Sequence, residues 1–166
     1  MVFGKMRGQG ATEYLVLLAV VLIIALVSIA LLGFFPGLAT DAKITQSASY
    51  WKGEARPFAI LENSISTTAG TLILQNVDAS GTYTVTNVTL SNTAGTLSSS
   101  NTTSIPIGPG ATSQVNFAGI SAAGQIAAGA TQGSVYDLNV IITYTSPSGL
   151  SGQREVGAKT LVGKFN

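Results

Sequence analysis

The sequence predicts an α+β protein in which one long hydrophobic N-terminal helix is followed by an all-β sandwich. Three observations predict it. An unbroken apolar run, Tyr14 to Phe35, lies near the start of a 166-residue chain. After Pro36 the composition turns to Ser, Thr, Gly, Asn and Ala. From Arg56 onward, short β-type runs recur between Gly- and Ser-rich turn signals.

The apolar run reads YLVLLAVVLIIALVSIALLGFF and carries no charge. About 20 such residues suffice to cross a bilayer as a helix. Apolar residues occupy every face, so this helix must be buried all round, in lipid or in protein. Gly33 and Pro36 are the expected stop signals. Three accounts fit the segment. A secretory signal peptide would have an apolar stretch of only about 7–15 residues, shorter than this one. A single-pass anchor would keep the basic end, with Lys5 and Arg7, in the cytoplasm. A prepilin-type leader would be cut on the cytoplasmic side, before the apolar stretch.

Glu13 favours the third account, because a carboxylate at the edge of a hydrophobic span is costly and a plain anchor has no need of it. If the chain is cut between Gly8 and Gln9, Gln9 carries a free α-amine and Glu13 lies about one helical turn away. The carboxylate then complements the positive end of the helix dipole. In a packed bundle it could pair with the amine of its own or a neighbouring subunit, which makes a buried charge tolerable. The simpler alternative is that Glu13 sits at the headgroup level and caps the helix.

Lys5-Met6-Arg7-Gly8, then Gln9-Gly10-Ala11-Thr12-Glu13-Tyr14-Leu15 and the long apolar run, resembles the class III signal peptide of archaeal type IV pilins. The match covers about the first 35 residues. It is closer to pilins than to archaellins, whose junctions usually read differently. The resemblance implies cleavage by a prepilin peptidase at Gly8–Gln9 and a leader of residues 1–8. It also implies a retained assembly and transmembrane helix over 9–36, with Gln9, Glu13, Tyr14, Leu15, Leu18, Leu22 and Leu26 as assembly residues. The expected product is a homo-oligomeric helical filament at the cell surface, assembled from a membrane-held precursor by pilus machinery and serving surface adhesion. The alternative is a single-pass, membrane-anchored cell-surface binding module.

Residues 37–55 read as a helix tail or connector. In it, Tyr50 and Trp51 are either interface anchors or part of the core under the β-domain. The strands expected in the outer domain, 56–166, are Pro57–Glu62, Thr71–Val77, Thr82–Ser91, Ser113–Ala118, Val135–Ser146 and Glu155–Phe165. Between Tyr83 and Leu90 the apolar positions change from odd to even numbers, which predicts a bulge or a change of neighbour. Ser146-Pro147-Ser148-Gly149 is a hairpin loop and Gly108-Pro109-Gly110 a rigid turn. Six or seven strands in about 110 residues suit an immunoglobulin-like sandwich, the domain the pilin resemblance also implies.

Little in the sequence speaks for chemistry. The chain has no Cys and no His, which removes disulfides, thiolate sites and the commonest general base and metal ligand. No phosphate-binding loop or nucleophile elbow is present, and neither an enzyme nor a cofactor or metal is expected. Charged residues make up 9% of the chain, the net charge is +1, and the basic ones are scattered, so nucleic acid is not an expected partner. Two sequons, Asn87-Val88-Thr89 and Asn101-Thr102-Thr103, are glycosylation candidates. Asn101, in a loop-like Ser98–Ser104 stretch, is the better acceptor on this reading; Asn87 lies within a strand.

Overall fold

A computed structural model describes the backbone of residues 9–166 and the side chains of 10–33 and 37–166. The order is α1 (Gln9–Gly53), β1 (Phe58–Ile65), β2 (Ala69–Asn76), β3 (Tyr83–Asn92), β4 (Ser98–Ile107), β5 (Thr112–Ala118), β6 (Val135–Thr145), β7 (Gln153–Val156) and β8 (Leu161–Lys164). The chain divides into two compact units, one ending at Ala42 and the other Lys43–Asn166.

The helix does not end at Gly33 or Pro36. It is one element of 45 residues, and of the two readings of residues 37–55 the helix tail is the one observed, helical to Gly53. A proline at position 36 removes one ladder bond, but the helix is carried on by the bonds on either side. The compact outer unit therefore starts at Lys43, within α1, and not at residue 56.

Two antiparallel sheets form the outer unit. The smaller has the order β1-β2-β5; the larger runs β4-β3-β6-β7, with β8 also paired to β6. With β1, β2 and β5 taken as strands A, B and E, and β4, β3, β6 and β7 as C′, C, F and G, this is an immunoglobulin-type order. Alternation fixes the core. In β2, Leu72 and Leu74 point inward with Asn76; in β6, Tyr136, Leu138, Val140 and Ile142 do so. They meet Phe58, Ile65, Val85, Val88, Leu90, Val115 and Phe117 in one core cluster.

The bulge expected in β3 is present. Register shifts between Val85 and Asn87 against both β4 and β6. Tyr83 and Val85 are buried before it and Val88 and Leu90 after it, so the extra residue keeps the apolar set inward through the change of parity. The Thr86 hydroxyl donates to the Thr143 carbonyl at 3.1 Å across the irregularity.

Two strand expectations need correction. Ser98–Ser104 is not a loop: it begins β4, a ten-residue edge strand. Its sequence lacks apolar alternation because the outward side chains face solvent and the inward ones lie at the sandwich margin. There Ser99 is held by polar bonds, donating to Gln125 Oε1 at 2.6 Å and accepting from the Ile126 amide at 3.3 Å. Glu155–Phe165 is not one strand but two. β7 pairs Ile141–Tyr144 and β8 pairs Val135–Leu138, with residues 157–160 looping out between them.

That interruption is where the end of α1 packs. Trp51 is 1% exposed, and a Cβ at Gly157 would overlap its ring. Ser47 Oγ donates to the Thr160 carbonyl at 2.8 Å and accepts from the Val162 amide at 2.9 Å. Tyr50 Oη accepts from the Ala158 amide at 2.9 Å. Helix side chains thus supply partners that the exposed edge of the larger sheet would otherwise lack. Of the two readings of Tyr50 and Trp51, packing against the β-domain is the one observed.

Candidate functional site: the apolar N-terminal helix

The feature that stands apart from ordinary domain structure is the N-terminal stretch of α1. Leu, Ala, Ile and Val favour or tolerate helix here. The most apolar 18-residue window has a mean hydropathy of 3.4, and none of it is buried. Exposure is 65% at Tyr14, 60% at Leu15, 46% at Leu18, 53% at Leu22 and 58% at Leu26. Val16, Leu17, Ile23 and Ile24, on other faces, are equally bare. Isolated exposed Leu residues are normal, but a whole cylinder of them is a surface that water does not tolerate. This is one helix long and apolar enough to span a membrane.

Within this element, Gln9 opens the described helix and Glu13 lies four residues on, about 6 Å along the axis. Glu13 is exposed and has no ion-pair partner among the described residues. Gly8 and the rest of the 1–8 leader lie outside the described residues, as does the Gln9 side chain. Ser28, the one serine or threonine in the apolar run, donates to the Ile24 carbonyl at 2.8 Å and so satisfies its polar atom locally. Apart from Glu13, the surface from Gly10 to Leu32 offers a partner only dispersion contacts and small polar groups.

The two sequon asparagines both lie in strands, Asn87 in β3 and Asn101 in β4. Asn87 Nδ2 donates to Thr89 Oγ1 at 3.2 Å, inside its own sequon, and its Oδ1 is buried without a partner. Asn101 Nδ2 donates to the Asn116 carbonyl of β5, a link across the β4–β5 margin of the sandwich. The nitrogen that would carry a glycan is thus engaged in both. Sequence reasoning missed this for Asn101, because a hydroxyl-rich edge strand has the composition of a loop.

The outer unit also holds a polar cleft of about 340 Å³, lined by Lys43, Gln46, Ser47, Asp137, Lys159 and Thr160 among others. Among the described residues no group of three or more His, Cys, Asp or Glu could hold a metal ion. The buried polar residues of the sandwich serve structure. Asn76 donates to the carbonyls of Gly81 and Ile107 at 3.0 and 2.9 Å and accepts from the Asp78 amide at 3.0 Å. Asp78 in turn accepts from the Tyr83 hydroxyl at 2.8 Å; the Ser80 amide and this hydroxyl hold its carboxyl below the usual carboxylate range. Compared with family models and with curated proteins, the chain finds no match, so its functional reading rests on these residues and their arrangement.

Proposed function

We propose that this chain is the structural subunit of an extracellular, type IV pilus-like filament, held together by bundling of its N-terminal helices. The observation that carries the reading is the apolar cylinder of α1, exposed on every face, with a single carboxylate at its N-terminal edge. A separately closed sandwich supports it, since that domain needs nothing from the cylinder to complete its core.

In this account the precursor sits in the cell membrane through α1 and is cut between Gly8 and Gln9. The new α-amine then lies one turn from Glu13, close enough to pair with it or with the Glu13 of a neighbouring helix. Leaving lipid for a bundle gains little hydrophobic free energy, because lipid tails are as apolar as leucine. Close packing and the Glu13 pairing therefore decide assembly. Surface adhesion is the service such a filament would give.

The test is the N-terminal residue of the protein recovered from the cell surface, read by intact-mass spectrometry, together with negative-stain microscopy of the same material. A chain starting at Gln9 in filaments is the expected result. A chain starting at Met1, monomeric in detergent and without filaments, would replace this reading with the anchored surface module.

A further inference from the structure

We propose that Glu155 is a pH-sensitive latch joining β7 to β1, closed when its carboxyl is protonated and loosened when it is ionised. The latch lies in the outer domain, and the proposal does not depend on the filament reading.

β1 and β7 are edge strands of the two different sheets, so no ladder joins them. Glu155 points inward from β7 and is 7% exposed. Its Oε2 accepts the Phe58 amide, the first of β1, at 3.0 Å. Its Oε1 is buried with no hydrogen-bond partner. A carboxylate in this position has one oxygen stripped of water and unpaired, which is among the costlier arrangements in a protein interior. A neutral carboxyl keeps the Phe58 bond through its carbonyl oxygen and sheds the buried charge.

The surroundings offset the ionised form only in part. Arg56, in the turn after α1, is the cation facing it, but its side chain is exposed and its guanidinium donates to the Ala55 carbonyl at 2.8 Å. Tyr144 of β6 and Tyr83 of β3 form mutual edge-on contacts with Phe58 at 5.4 to 5.8 Å. Trp51 of α1, packed over Gly157 two residues along, is uncharged. Asp78, in the β2–β3 loop, adds only negative charge; it and Glu155 both raise the Tyr144 hydroxyl, after burial. Burial is also the largest influence on Glu155 and lifts it from 4.5 to about 7, against the pull of the Phe58 amide, the Arg56 charge and the Arg56 backbone amide.

An acid raised in the folded state stabilises the fold fully below its unfolded value. That contribution is lost as pH rises through the folded value. The window here runs from 4.5 to about 7, and across it the folding equilibrium constant should fall on the order of a hundredfold.

The test is thermal unfolding of the full chain in neutral detergent as a function of pH, read by fluorescence of Trp51, the single tryptophan. Wild type should lose melting temperature through the window and then level off. Glu155→Gln, which keeps an acceptor for Phe58 without a titrating proton, should be flat there. Arg56→Gln should move the fall to higher pH. A flat wild-type profile, or a Glu155→Gln profile with the same fall, overturns the latch. Should Glu155→Gln fail to fold, the infrared carbonyl band of a protonated carboxyl in the wild type decides. Its persistence above pH 4.5 supports the latch, and its absence there refutes it.

Discussion

Gly157→Ala places a methyl group where the Trp51 ring already lies. No positive φ is recorded at Gly157, so the penalty is steric and not conformational. Trp51 is 1% exposed; a tryptophan buries about 150–250 Å², worth an upper bound of about 4–6 kcal/mol at ~25 cal/mol per Å². One methyl displaces the ring without ejecting it, and overpacking of this kind costs about 1–3 kcal/mol. Lower chain entropy in the unfolded state returns up to ~1 kcal/mol, so the net loss should be about 1–2 kcal/mol. Urea unfolding of the full chain in detergent, followed by Trp51 emission, measures it, and the folded-state emission should shift to the red. In a Trp51→Leu background the ring overlap is relieved and only the 2.9 Å approach to the Lys159 carbonyl remains, so a coupling of roughly 1 kcal/mol or more between the two sites is expected. A loss below ~0.5 kcal/mol with unshifted emission would refute the reading that the Trp51 ring packs closely on Gly157.

Three further changes test separate parts of the molecule. Glu13→Lys should abolish filaments while leaving the melting of the outer domain unchanged; normal filaments by electron microscopy would end the pairing argument. Asn76→Ala leaves two carbonyls and one amide without partners and should cost ~3–4 kcal/mol, read as a lowered urea midpoint at unchanged slope. Ser47→Ala removes two bonds to the β8 edge and should cost ~2 kcal/mol, with faster hydrogen exchange at the Val162 amide. Protection at Val162 equal to wild type would mean that Ser47 does not cap that edge.

Much of the architecture could be read from residue order because it depends on local pattern. The change of parity between Val85 and Val88 specifies a bulge whatever the neighbouring strands are, since an inward set that moves from odd to even positions needs an extra residue. β6, with alternating Tyr136, Leu138, Val140 and Ile142, is legible for the same reason. β4 was not, because an edge strand with one face in solvent and the other at a polar margin is under no pressure to alternate. The end of α1 was misplaced for a different reason. Gly33 and Pro36 weaken a helix locally, but the residues from Lys43 to Gly53 are held helical by packing of Ser47, Tyr50 and Trp51 on the sandwich, which no local signal announces.

The candidate site divides along the same line. Its chemistry, an apolar rod with one acid at the edge, is written in consecutive residues, because an uncharged run excludes water regardless of its surroundings. The positions of Asn101 and Glu155 are not. Asn101 became a cross-margin tie and Glu155 a buried acid only when strands far apart in the chain, β4 with β5 and β7 with β1, were brought side by side. A sequence by itself determines what each segment must hide from water; tertiary structure alone decides which polar groups are trapped in the hiding, and so which of them can respond to a proton.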